Sequence, residues 1–173
     1  MKILLFIFFF SIASNAQDGK SKDVFDIARF GTIEEMKILE TKDSEIINSV
    51  SPSGFTPLIL ACYKGNTDIA KYLITKVKDI NYNSSSGTAL AATVVKGNSY
   101  LTSLLLENKA DPNIKDASGL TPLIYAIQFK NIEIIKLLLN HKANKTLADS
   151  SGKMPFEYAI FTQNQEIINL FKN

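Results

Sequence analysis

Reactive side chains are scarce in this chain. Among its 173 residues there is one histidine, His141, and one cysteine, Cys62. A lone cysteine excludes an intramolecular disulfide framework, so stability has to come from packing. The two residues stand far apart in sequence, which leaves no nucleophile–base pair of the Cys–His kind. His141 sits in Leu139-Asn140-His141-Lys142, where it reads as the end of a helix. Cys62 follows Ala61 and reads as a small buried residue. Ligand-spaced clusters of Cys, His or carboxylates are missing, so no metal is expected. Glu34 and Glu35 are neighbours in a helical segment and point in different directions. A Gly-x-x-x-x-Gly-Lys loop is also missing, which removes the commonest phosphate cradle. Charge of one sign is lacking too: 19 basic against 17 acidic residues give a formal +2. Such a balance supplies no electrostatic reason to seek nucleic acid. These absences predict no catalytic residues, no metal and no cofactor.

What the chain has is repetition. In the stretch Asp116 to Ala126, Asp116 and Gly119 write a tight turn, because Asp bonds its own backbone and Gly accepts positive φ. Thr121 suits a helix N-cap, and Pro122 suits the first helical position, where a missing N–H costs nothing. A short apolar helix follows and breaks at Lys130-Asn131. A second helix then carries the run Ile134 to Leu139. One such unit cannot bury its own apolar faces, so it needs copies. Thr56-Pro57-Leu58, Thr88-Ala89-Leu90, Thr121-Pro122-Leu123 and Met154-Pro155-Phe156 are those copies, spaced by 32, 33 and 33 residues. Leu73, Leu105, Leu138 and Phe171 keep the same phase in the second helices. So do the breaks Gly65-Asn66, Gly97-Asn98, Lys130-Asn131 and Gln163-Asn164.

A period near 33 with a Thr-Pro-Leu helix start resembles the ankyrin-repeat family. The resemblance covers residues 23–173 and implies an all-α solenoid of stacked helix–turn–helix units joined by β-hairpin-like loops. Repeats are expected at about 23–50, 51–81, 82–113, 114–145 and 146–173. The first lacks the Thr-Pro-Leu start, as a capping unit can. Its second helix should end near Glu40, or Ile46-Ile47 should add a turn. The third departs from the pattern, with Ser86 at the turn-glycine position, Gly87 one place later and Ala89 for proline, so its loop should be the least rigid. The last turns Asn164, Gln165, Glu166, Asn169 and Lys172 outward as a polar cap. Leu58, Leu90, Leu123 and Phe156 should line one unbroken interior. The family often has His after Thr-Pro-Leu; here Ile59, Ala91, Ile124 and Glu157 stand there, so loop rigidity is expected from apolar packing.

The start of the chain reads differently. Met1-Lys2, the apolar run Ile3 to Phe10 and the small residues ending Ser14-Asn15-Ala16 have the pattern of a secretory signal peptide. The run is too short to span a membrane, which takes about 20 apolar residues. Cleavage is expected after Ala16, making residues 1–16 the signal peptide and 17–22 a polar linker. Loss of Lys2 lowers the formal charge to +1. No membrane span remains after cleavage, and the mature protein is expected to be periplasmic or secreted. An export route with one cysteine is less unusual for a bacterial periplasmic domain than for an animal secreted one.

By position, the resemblance puts partner binding on the hairpin tips and the inner helices, which form a concave face. The partner-binding candidates are Phe55, Leu60, Tyr63, Leu120, Tyr125, Gln128, Lys153 and Tyr158, with Gly87, Ala92 and Val95 at the matching places. Large apolar residues there suggest a protein contact. The expectation is a monomeric, non-enzymatic module that binds a protein and protects, stabilises or inhibits it. The alternatives are a secreted effector acting on host proteins and a hydrolase with an unrecognised site.

Overall fold

In the computed structural model residues 22–172 are described; the expected signal peptide and all of the expected linker except Lys22 lie outside them. The chain order is α1 (Val24–Phe30), α2 (Ile33–Lys42), α3 (Pro57–Lys64), α4 (Thr67–Ile74), α5 (Ala89–Val95), α6 (Ser99–Glu107), α7 (Pro122–Gln128), α8 (Ile132–Asn140), α9 (Pro155–Phe161) and α10 (Gln165–Asn169). A 3₁₀ turn at Ile46–Asn48 follows α2, so the first repeat both ends its helix and adds a turn. Odd-numbered helices pack in one inner row, α1 on α3, α3 on α5, α5 on α7 and α7 on α9. Even-numbered helices form the outer row through α8. The result is an all-α solenoid.

Local chemistry starts each helix. Thr56, Thr88 and Thr121 accept hydrogen bonds from the backbone N–H groups of Ile59, Ala91 and Ile124, each at 3.3 Å. A threonine oxygen there satisfies a donor that the helix itself leaves orphaned. Asn66, Asn98, Asn131 and Asn164 do the same for the second helices. The residue before each of those asparagines takes a left-handed turn: Gly65, Gly97, Lys130 and Gln163 all have positive φ.

The core is continuous through the stack. Leu58, Leu90 and Leu123 are buried between successive inner helices, and Leu73, Leu105 and Leu138 are buried beneath the outer row. Small residues at Ala28, Ala61, Thr93, Ala126 and Ala159 are fully covered, which lets the helices of a pair approach closely. Phe156 departs from the expected interior, being 39% exposed. The leucines at this position are covered by the following inner helix, and no described helix follows α9 and α10. Residues Gln165, Glu166 and Lys172 are exposed as expected of a polar end, but Phe156 and Ile160 add an apolar patch to it.

Loops are stitched to their neighbours by backbone and asparagine bonds. Asn48, Asn81 and Asn113 each lend a side-chain oxygen to a backbone N–H of the next repeat, Lys78 at 2.9 Å, Asp111 at 2.8 Å and Asn144 at 2.7 Å. In the third repeat the turn is displaced by one residue. Ser84 and Gly87 form an antiparallel bridge, the Ser84 hydroxyl donates to the Gly87 carbonyl at 2.8 Å and accepts from the Ser86 N–H at 3.2 Å. Successive hairpins also touch: Ala117 N donates to the Ser85 carbonyl and Ser150 N to the Ser118 carbonyl.

Candidate functional site

The inner helices are only two turns long, so few positions on each can face away from the core. Counting from the N-caps Asp23, Thr56, Thr88, Thr121 and Met154, the seventh residue stays open on the concave side in every repeat, and in the second to fourth repeats the fourth and eighth residues also turn that way. Those on α3 and α5, with Tyr125 and Phe129 of the fourth repeat, enclose a groove of about 510 Å³. Ile59, Leu60, Ala92 and Val95 make its apolar floor, and Ser53 and Ser86 mark the hairpin side. Arg29 and Lys64 sit at one end, Tyr125 and Phe129 at the other.

Of the eight candidate residues, Phe55, Leu60, Tyr63 and Tyr125 meet in this groove, together with Ala92 and Val95. Leu120, Gln128, Lys153 and Tyr158 do not line it. Leu60 is corrected in one respect: it was expected on the exposed side and is only 7% exposed. It belongs to the core between α3 and its neighbours and shows only an edge at the groove floor. Leu120 is half-buried in the fourth hairpin, where its N–H is held by Asp116 at 2.9 Å. Gln128 is exposed at the end of α7. Lys153 and Tyr158 form a separate cluster, with the Lys153 ammonium 4.0 Å from the Tyr158 ring centre and 3.9 Å from that of Phe161.

Sequence reasoning picked out Tyr63 but missed the other members of the aromatic row it belongs to. Phe30, Tyr63 and Phe161 stand seven residues after their N-caps, Phe129 stands eight after Thr121, and all four are exposed. The shared phase was a readable signal. Lysines interleave with these rings: Lys64 lies 5.4 Å from the Phe30 centroid and Lys96 5.0 Å from that of Tyr63. An ammonium over a ring face is attracted by its quadrupole, which holds both side chains in place.

Loop rigidity was expected from apolar packing, and in the last two repeats a polar tie adds to it. The Tyr125 hydroxyl donates to Asp116, and the Tyr158 hydroxyl to Asp149 at 2.5 Å. Each bond joins a hairpin to the inner helix behind it. Burial first, then the Asp116 carboxylate, pushes the Tyr125 hydroxyl up to about 12. The Asp149 carboxylate, then burial, pushes that of Tyr158 to about 12. The Tyr158 bond, followed by the Ser151 hydroxyl, holds Asp149 well below the usual carboxylate range. Tyr125 therefore offers the groove its ring while its hydroxyl is engaged.

The remaining candidates for chemistry are placed plainly. Cys62 is fully buried in α3, and burial pushes its thiol up to about 12. A thiol so far above neutral is not a nucleophile. His141 caps the end of α8, its N–H bonded to the Leu137 and Leu138 carbonyls at 3.1 Å. Among the described residues no three of His, Cys, Asp and Glu gather as a metal site, and no helix is long and apolar enough to cross a membrane.

Comparison with known proteins decides the family. A model of ankyrin repeats, three copies long, matches residues 24–116 and again 88–173. The chain belongs to the ankyrin-repeat family. Ankyrin repeats form a non-catalytic fold for protein–protein interaction, and this ankyrin-repeat chain has similar relatives among much larger proteins. It is 27% identical over 124 residues to the rat (Rattus norvegicus) ankyrin repeat and SAM domain-containing protein 6, covering 69% of this chain and 14% of that protein. It is 31% identical over 117 residues to an ankyrin repeat protein of fowlpox virus (strain NVSL), covering 66% of this chain and 26% of the viral one. It is 36% identical over 85 residues to the mouse (Mus musculus) protein fem-1 homolog A-like, covering 49% of this chain and 12% of that protein. The chain thus spans about a quarter or less of the length of these relatives.

Proposed function

We propose that this ankyrin-repeat protein is a non-enzymatic binding module that acts outside the cytoplasm, holding a partner protein against its concave face and thereby protecting, stabilising or inhibiting it. The observation that carries the reading is the apolar groove over α3 and α5, flanked by exposed aromatic rings that no packing requirement explains. Tyr63 and Phe129 are the sharpest instances. Large exposed rings around a concavity favour a partner's side chains, since aromatic anchors supply most of the binding energy at protein interfaces. The non-enzymatic part of the reading is supported by the inert placement of Cys62 and His141. Export rests on the sequence of Met1 to Ala16, and mass analysis of the protein from its native compartment should find Gln17 as the first residue.

The test is affinity capture with the chain as bait, beside the variant Tyr63→Ala/Phe129→Ala. Both side chains are exposed, so the melting temperature should hold. Capture of a stoichiometric partner should weaken by about tenfold or more, as for loss of interface anchors. Undiminished capture by the double variant would remove the groove from the interface.

A further inference from the structure

The groove has a charge as well as a shape. Among the described residues its only charged lining residues are Arg29 and Lys64, both basic, and no carboxylate lines it. Arg29 carries five N–H donors, of which one meets Asp26 at 3.1 Å. Lys64 is held over the Phe30 ring and, among the described residues, pairs with no carboxylate. Lys96 stands in the same relation to Tyr63 at the next step along the face. The acids elsewhere on this face are already engaged: Asp116 and Asp149 accept from Tyr125 and Tyr158, and Glu157 accepts from the Met154 N–H at 2.7 Å. The concave side therefore presents Lys64, which has no carboxylate partner among the described residues, and Arg29, whose bond to Asp26 uses one of its five donors, beside an apolar floor.

Resting on the concave-face reading above, we infer that the occupant of the groove is an extended protein segment in which acidic residues alternate with large apolar ones. The apolar side chains fill the floor over Leu60 and Ala92, and the carboxylates meet Lys64 and the outer donors of Arg29. Low-dielectric walls strengthen such pairs relative to open solvent, and like charges on a basic segment would be rejected at the same positions. An extended segment fits better than a small molecule because exposed rings paired with lysines also lie beyond the groove, at Phe30 on α1 and at Phe161 on α9. Five helices spaced about 10 Å apart give a face roughly 40 Å long. A fully extended strand of about twelve residues covers that length.

A random dodecapeptide library displayed on phage is selected in parallel on the purified chain and on the charge-reversed variant Arg29→Glu/Lys64→Glu. The single variant Lys64→Glu, which disturbs no ion pair, covers the case in which the double variant folds poorly. Clones selected on the chain should be rich in Asp and Glu beside Leu, Ile or Phe, whereas reversed variants should select Lys and Arg instead. A synthetic peptide of the selected sequence should bind the reversed variants about tenfold or more weakly, and added salt should weaken its binding to the unaltered chain. Selected peptides without acidic enrichment that bind the reversed variants equally would overturn the inference. The concave-face reading would survive that result if the same peptides are lost on Tyr63→Ala/Phe129→Ala, and would fall with it if they are not. A library yielding no binder would overturn the assignment to a peptide segment, leaving the folded-partner capture above as the separate test of the face.

Discussion

Gly119 offers a sharp test of how the hairpins of this solenoid are held together. It has φ +76 and lies under the next hairpin, where an added methyl would meet the Ser150 nitrogen at 2.5 Å, the Ser150 hydroxyl at 2.6 Å and the Asp149 carbonyl carbon at 3.0 Å. Gly54 occupies the matching turn of the second repeat with φ +81, and an added methyl there meets nothing within 4 Å. The pair therefore separates backbone strain from contact between repeats. Left-handed backbone costs a non-glycine residue about 1–2 kcal/mol. The loss of unfolded-chain freedom offsets about 0.4–1 kcal/mol of that. Gly54→Ala should thus destabilise by roughly 1 kcal/mol. Gly119→Ala has the same strain and must also push back the backbone of Ser150, at about 1–3 kcal/mol for an overpacked site. It further weakens the bond from Ser150 N to the Ser118 carbonyl, now 3.3 Å long. A net loss of roughly 3 kcal/mol follows for Gly119→Ala. In a chain of this size each kcal/mol moves the melting temperature by about 2–4 °C. Thermal unfolding followed by circular dichroism should show Gly119→Ala falling about three times as far as Gly54→Ala. Equal falls would mean that adjoining hairpins do not constrain one another, and the reasoning would be wrong.

Two further outcomes are expected. Leu123→Ala removes a fully buried side chain and should cost about 2–5 kcal/mol, whereas Phe156→Ala, at the matching but half-open position, should cost under about 1 kcal/mol; chemical denaturation of both variants measures the difference, and equal costs would contradict the difference in burial. Tyr125 has its hydroxyl raised from 10.0 to about 12, so the folded state keeps a proton that the unfolded state releases. Its contribution is complete below pH 10 and is lost as pH rises toward 12. Unfolding measured across that window should show a shallower loss in Tyr125→Phe, and identical pH profiles for the two proteins would refute the raised hydroxyl that burial and the Asp116 bond together produce.

The helices were legible because their causes are local. A threonine oxygen reaches an N–H three residues ahead, an asparagine does the same at the second helix, and the turn of Asp116 closes within four residues. The repeat spacing could therefore be counted directly, and with it the all-α stack. The candidate site was legible in part, because helical phase places Tyr63 and Tyr125 on one side and the hairpin tip brings Phe55 beside them. The phase of Tyr63 also held Phe30 and Phe161, with Phe129 one place later, and these three were passed over.

What phase could not supply was the neighbour. Leu60 and Tyr125 share a position in their repeats, yet one is covered and the other half-open, because the side chains of adjoining repeats differ around them. Leu123 and Phe156 also share a position, and only the presence of a following helix buries the first. Asn48, Asn81 and Asn113 bond across roughly thirty residues of chain, a pairing that their spacing allows and only stacking creates. The sequence by itself determined the units and their period, since caps and turns are bonds between near neighbours. Only the tertiary structure decided which rings stay exposed and which cations lack an acid, because burial and charge pairing depend on what the next repeat brings alongside.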